Sequence, residues 1–184
     1  MIKDQQKKVG IGTVKKQDIL ENQAKIVFLG IGSNLGLRKR NIEKAKFLLA
    51  QHNLDVLSVS SYYQTPSWPD PQKPKFLNII LKLKCYYSPQ ELLKICKFIE
   101  NQLGRKKAKK NAPRTCDLDI IDFNNLVSKN SKINLPHKMM HKRNFVLFPL
   151  FEIQKDWIHP DKQIDVKTLI SLLPDRDIRS IKQI

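Results

Sequence analysis

At 184 residues, 41% of them hydrophobic, the chain is long enough for one domain with a sizeable core and too apolar for wholesale disorder. The longest apolar run near its start, IVFLGI (26–31), is far too short for a bilayer span, and no apolar segment follows the opening MIKDQQKK, so neither a membrane anchor nor a signal peptide is expected. The net charge of +17 has two readings, an anionic partner or a composition in which Lys greatly outnumbers Arg, and it decides between neither.

Residues 1–24 are polar and Lys-rich and read as a poorly ordered extension preceding a single domain over 25–184. KIVFLGIG (25–32) reads as a buried strand, and GIGSNLG (30–36) as a tight turn into a helix over 33–51 that Asn34 or a near neighbour caps. The glycines fit neither dinucleotide nor triphosphate loop patterns. LDVLSVSSYYQT (54–65) is predicted as one strand. TPSWPDPQKPKF (65–76), with four prolines, is a loop long enough to carry function, and FLNIILKLK (76–84) is a further strand. SPQELLKICKFIENQLG (88–104) is a helix with Ser88 as cap, Pro89 first, Glu91 closing a capping box, a stripe of Leu92, Cys96, Ile99 and Leu103, and Gly104 ending it. A basic loop (105–114) then leads into the strand TCDLDIIDFNN (115–125).

The order β-α-β-β-α-β predicts an α+β fold, a ferredoxin-like, mostly antiparallel sheet packed by helices. C-terminal additions follow: a small hairpin in 126–136, a helix over 141–153 bent at Pro149, and another over 165–173. Cys85, Cys96 and Cys116 are odd in number and lack C-x-x-C spacing, which argues against a disulfide framework or a zinc site and for a reducing, cytoplasmic setting.

Strand geometry puts Asp117 and Asp119 on one face and Leu118 and Ile120 on the other, with Asp122 turned away from the pair. Two carboxylates so close either hold divalent cations, Mg²⁺ being suited to such oxygen donors, or are exposed acids paired with nearby Lys. GRKKAKKNAPR (104–114) has six basic residues and no acid, which suits a metal-bridged polyphosphate, although a solvated Lys-rich loop would look the same. His137, after a proline, is either a phosphate contact or a surface histidine.

LGIGSNLG (29–36), SSYYQTP (60–66), FLN (76–78), IENQLGR (99–105), PRTCDLDI (113–120), LPH (135–137) and RNFVLFPLFEI (143–153) together resemble the 6-hydroxymethyl-7,8-dihydropterin pyrophosphokinases of folate biosynthesis, in consistent order over residues 25 to 160. The resemblance implies a transferase that moves pyrophosphate from ATP to the pterin hydroxymethyl group and releases AMP. It implies two Mg²⁺ on Asp117 and Asp119, and Arg105 and Arg114 acting on the phosphates. ATP contacts would come from Glu100, Lys97, His137, Arg143 and Lys132. The pterin would be held by Thr65, Pro66, Phe76, Asn78, Phe145 and Trp68. The implied partners are these two substrates, for a monomer that engages neither nucleic acid nor membrane. Asn111, Ala108 and Lys138 depart from the family's pattern. An RNA-binding sheet is the rival reading; its spaced aromatic motif is absent.

Overall fold

The computed structural model describes residues 23–67, 70–105, 112–129 and 133–184. Strands β1 (Lys25–Ser33) and β4 (Phe76–Cys85) pair antiparallel along their length, Lys25 opposite Cys85 and Ser33 opposite Leu77. Strand β5 (Asp117–Phe123) lies antiparallel on the other side of β1. The free side of β4 is shared by β2 (Asp55–Val59) and β3 (Tyr63–Thr65), and β3 pairs in turn with β8 (Lys182–Gln183). The sheet order is β5-β1-β4-β3-β8, with β2 beside β3 along β4. Helices cover both faces, the expected α+β arrangement.

Both central strands are apolar on both faces because both faces are covered, so they read as continuous hydrophobic runs rather than alternating ones. Val27, Leu29 and Ile31 of β1 and Ile79, Leu81 and Leu83 of β4 face α1 (Arg38–Gln51) and α2 (Pro89–Gln102), which contribute Ile42, Ala45, Leu49, Leu92, Cys96 and Ile99. Phe28, Ile80 and Ile121 face the second layer, where α3 (Asn144–Ile153) and α4 (Val166–Ser171) supply Val146, Leu147, Leu150, Val166 and Leu169.

Helix α2 starts as its sequence predicts: Ser88 accepts from the Glu91 N–H, and the Glu91 carboxylate accepts from the Ser88 N–H. Gly104 follows in the left-handed region, φ +78°. The hairpin in 126–136 is present as β6 (Ser128–Lys129) against β7 (Asn134–Leu135). Asp165 caps α4, and Pro149 lies inside α3, after a short 3-10 turn at Met140–Lys142.

The structure corrects four expectations and adds two elements. The strand read over 25–32 is present, but the turn read over 30–36 starts later: β1 runs to Ser33 before the chain turns at Gly36, φ +67°. Helix α1 begins only at Arg38, capped by no side chain, because Asn34 is engaged elsewhere. The strand predicted over 54–65 breaks at Ser60–Tyr62, where the Ser61 N–H and hydroxyl and the Tyr63 hydroxyl all donate to Glu152 of α3. The C-terminal α5 (Asp175–Ser180) and β8 were not foreseen. A bulge in the β1–β5 register sets Phe28 opposite Asp122 but Leu29 opposite Ile120, leaving Ile121 unpaired. It returns Asp122 to the side of the acidic pair, where Asp122 accepts from the Trp157 indole N–H. The predicted extension over 1–24 lies, except for Gln23 and Ala24, outside the described residues. No helix among the described residues is long and apolar enough to cross a membrane.

His141, His159 and Trp157 form a corner on the second layer, ring centroids 5.9 Å apart for the histidines and 5.7 Å for Trp157 and His159. The His159 Nδ1 accepts from the Asp161 and Lys162 N–H groups. Burial pushes both histidines below their ordinary value of 6.5, and Lys162 adds to the push on each. A histidine depressed in the fold contributes stability above the unfolded-state value, and that contribution is lost as pH falls through the folded value. Thermal melts of the wild type should therefore drop between pH 7.5 and 5.5. Replacing His159 with Asn, which keeps an acceptor for the two N–H groups, should make that drop shallower.

Candidate active site

The C-terminal half of β1 runs between β4, which carries Phe76 and Asn78, and β5, which carries Asp117 and Asp119. Gly32 is in register with Asn78 on β4 and with Asp117 on β5; Gly30 is in register with Ile80 and Asp119. A Cβ on Gly32 would stand 2.9 Å from the Asn78 Oδ1 and 3.5 Å from the Phe76 ring. The missing side chain leaves a shallow floor. Asp117 and Asn78 flank it from opposite sides, their backbones two strand spacings apart, roughly 9–10 Å.

Asp117 and Asp119 share a face, as their spacing requires, with side chains 22% and 36% exposed. Every carboxylate here is matched by a cation. The Arg105 guanidinium donates to the Asp117 Oδ1 at 2.6 Å, and Arg114 donates to its Oδ2 at 2.9 Å. Arg143 stands 3.6 Å from the Asp119 Oδ2 and 5.5 Å over the Phe145 ring. Beneath them lies Glu100, with a side chain only 1% exposed. It accepts from the Leu118 N–H, between the two aspartates, at 2.8 Å and from the Lys97 ammonium at 2.9 Å, and it is ion-paired to Arg105. Glu100 faces the protein rather than a ligand groove; it joins α2 to β5.

Past the outer edge of β5 lies a groove of about 280 Å³ lined by Leu93 and Lys97 of α2, Asp119 and Ile120 of β5, and Ile133 and His137. The His137 N–H donates to the Ile121 carbonyl, and its Nδ1 accepts from the Met139 N–H. Burial holds this imidazole below its ordinary range; Asp119 pulls it up and Arg143 pushes it down. A larger cavity of about 570 Å³, around Trp157, Asp122 and Lys82, is lined by none of the predicted site residues.

On the β4 side, Asn78 and Thr65 are buried, the Asn78 amide donating to the Thr65 hydroxyl at 3.2 Å. Pro66 and Phe76 are half-buried. Asn34, buried at the end of β1, was missed as a site-building residue. Its amide nitrogen donates to the Ser67 hydroxyl and the Pro74 carbonyl, and its oxygen accepts from the Arg114 N–H at 2.8 Å. One side chain thus ties the Pro-rich loop and the arginine segment to the central strand. Its preference for turns drew attention to capping instead. Among predicted site residues, Trp68 and Lys132 lie outside the described residues, as do Ala108 and Asn111. The structure gathers Arg105, Arg114, Asp117, Asp119, Glu100, Lys97, His137 and Arg143 around β5, and Thr65, Phe76 and Asn78 across β1 from them.

A profile of the 7,8-dihydro-6-hydroxymethylpterin-pyrophosphokinase (HPPK) family matches residues 28–155. The chain is 38% identical over 134 residues to the 2-amino-4-hydroxy-6-hydroxymethyldihydropteridine pyrophosphokinase of Aquifex aeolicus, covering 73% of this chain and 83% of that one. Its counterpart from Bacillus subtilis is 40% identical over 129 residues, 70% and 77% of the two chains. A folic acid synthesis protein of Schizosaccharomyces pombe is 34% identical over 156 residues, which are 84% of this chain but 21% of that protein. The fold matches the crystal structure of a Plasmodium falciparum HPPK-DHPS with pterin and p-hydroxybenzoate, with a TM-score of 0.70 at 14% identity, over 88% of this chain and 48% of that one. The chain thus spans most of the bacterial relatives and from a fifth to a half of these two longer eukaryotic proteins.

Glu100 gives a direct test of how the site is supported. Glu100→Ala strands the buried Leu118 N–H, so urea unfolding should show a loss of about 1–3 kcal/mol. Glu100→Gln, which keeps an acceptor for that N–H, should lose less.

Proposed function

The chain belongs to the 7,8-dihydro-6-hydroxymethylpterin-pyrophosphokinase family, and on that premise we propose that β5 and the arginines around it handle the triphosphate of ATP while β4 and β3 hold the pterin. The enzyme transfers pyrophosphate from ATP to the hydroxymethyl group of 6-hydroxymethyl-7,8-dihydropterin and releases AMP, a step of folate biosynthesis. The observation that carries the site assignment is the double register of Gly32, with Asn78 on one side and Asp117 on the other.

Asp117 and Asp119 fit divalent magnesium. They offer only carboxylate oxygens, the donors that ion prefers, on one partly exposed face. Two Mg²⁺ bound there would neutralise charge on the triphosphate. The pterin hydroxymethyl oxygen attacks the β-phosphorus in line and gives up its proton to solvent, the bond from that phosphorus to the oxygen bridging it to the α-phosphorus breaks, and AMP leaves with that oxygen. Arg105 and Arg114 can each donate two parallel N–H groups to phosphate oxygens and stabilise charge as it spreads during transfer. Catalysis of this kind rests on positioning and electrostatics more than on a strong base.

The groove beside β5 suits the rest of the nucleotide. Ile120 and Ile133 offer apolar surface, Lys97 and His137 polar groups, and Arg143 bridges toward the phosphates. Lys132 would add a cation there. Glu100 supports this binding from below, through Leu118 and Arg105. Across β1, the Asn78 amide can donate to and accept from the heterocycle's amide edge, beside Thr65 and Pro66. Phe76, Phe145 and Trp68 would provide ring surfaces. We place this activity in one domain over 25–184, acting as a monomer in the cytoplasm, where the three buried free thiols stay reduced.

Asp117→Ala and Asp119→Ala should each abolish AMP release in an assay with Mg²⁺, ATP and the pterin; near-normal release from either would refute the metal role. Asn78→Ala should raise the KM for pterin by about ten- to a hundredfold, the cost of leaving a polar ring edge without its partner, while the KM for ATP changes little.

A further inference from the structure

Both oxygens of Asp117 are occupied by guanidiniums, Oδ1 by Arg105 and Oδ2 by Arg114. The arrangement is built rather than incidental. The Arg105 backbone N–H donates to the Glu100 carbonyl, and its guanidinium is shared between Asp117 and the buried Glu100 carboxylate. The backbone of Arg114 is pinned by Asn34 through two hydrogen bonds, so its side chain reaches Asp117 from a fixed base. Asp119 differs: among the described residues its ion pair is with Arg143, which stands back at 3.6 Å, and Arg105 acts on it only at longer range.

A magnesium ion bonded to a carboxylate oxygen sits about 2.0–2.1 Å from it. On either oxygen of Asp117 that places a dication beside a guanidinium, and the two repel in a partly desolvated site. An ion can take Asp117 fully only if an arginine leaves, and a departing arginine needs another anion. A triphosphate supplies that anion; solvent chloride does so poorly, since it cannot match the planar fork of donors.

We propose that Arg105 and Arg114 make Asp117 selective for a metal–nucleotide complex over the free metal ion. The aspartate exchanges its guanidiniums for the ion as the guanidiniums pass to the phosphates, so metal capture and phosphate clamping are one event. Asp119, more open, is the weaker and less discriminating ligand. The inference rests on the metal and phosphate roles proposed above and adds an order: the free ion is refused and the complex accepted.

The test is Mn²⁺ binding, read from loss of the free-ion electron paramagnetic resonance signal, with and without the non-hydrolysable ATP analogue in which a methylene joins the α- and β-phosphates. Arg114→Gln and Arg105→Gln, each checked by thermal melt for an intact fold, should bind Mn²⁺ alone at least about tenfold more tightly than the wild type, because a repelling charge is gone. The same variants should bind the Mn²⁺–analogue complex more weakly. Gains without nucleotide together with losses with it are a signature that phosphate contact alone does not produce. Unchanged or weaker binding of Mn²⁺ alone in both folded variants overturns the proposal. Asp117→Asn separates the two levels. If it keeps turnover and Mn²⁺–analogue binding, the metal role falls and this inference with it. If it loses both while the arginine variants leave free Mn²⁺ affinity unchanged, only the selectivity falls.

Discussion

The architecture of the site depends on a strand position that has no side chain. Gly32 lies in the middle of the sheet with Asp117 in register on one side and Asn78 on the other. Any Cβ there would collide with the Asn78 side-chain Oδ1 at 2.9 Å. Strand spacing in a hydrogen-bonded sheet is nearly invariant, so the distance between the two flanking residues is set by the backbone itself. A reaction that must bring a hydroxyl to a phosphorus gains much from such fixed separation, because small errors of placement are expensive in rate. Asn34, at the end of the same strand, extends this control to the loops on both sides.

The second organising fact is charge balance. Glu100, Asp117 and Asp119 lie close together, and left alone their like charges would repel. Lys97, Arg105, Arg114 and Arg143 offset them; the Lys97 pair lies within α2, while Arg105 ties the end of α2 to β5, Arg114 the arginine segment to β5, and Arg143 the start of α3 to β5. The site thus keeps its acids paired and its cations localised around β5. The overall charge of +17 says little about this. What matters is that the acids are few and gathered among cations that have room to be redirected.

Features governed by neighbours in sequence were legible in advance. The capping box of α2 is a contact three residues long, and both of its bonds are present. The shared face of Asp117 and Asp119 follows from the strand period. Features governed by partners far along the chain were not legible. Asp122 was assigned to the wrong face because the bulge at Ile121 depends on pairing with β1, and nothing in DLDIIDF announces it. The strand over 54–65 breaks because Glu152, about ninety residues away, takes the Ser61 N–H. Asn34 was read as a helix cap because that is the local use of Asn; its actual partners are 33, 40 and 80 residues away. The helix pattern around Glu100 gives no sign that its carboxylate lies under the neighbouring strand and accepts from the Leu118 N–H.

The short strand β8 has a consequence for how the molecule behaves in a crowd. Any sheet that ends in an unpaired strand offers a template on which another chain can add. Here β8 occupies the outer side of β3, with the Ile184 N–H donating to the Tyr62 carbonyl just beyond it. Strand β2 carries a bulge at Leu57 that spoils its register as a template. On the opposite border, the Leu118 N–H and the Ile121 carbonyl of β5 are already satisfied by Glu100 and His137. Each border is blunted by a different device, so the groove beside β5 can stay open to a small molecule while refusing a foreign strand.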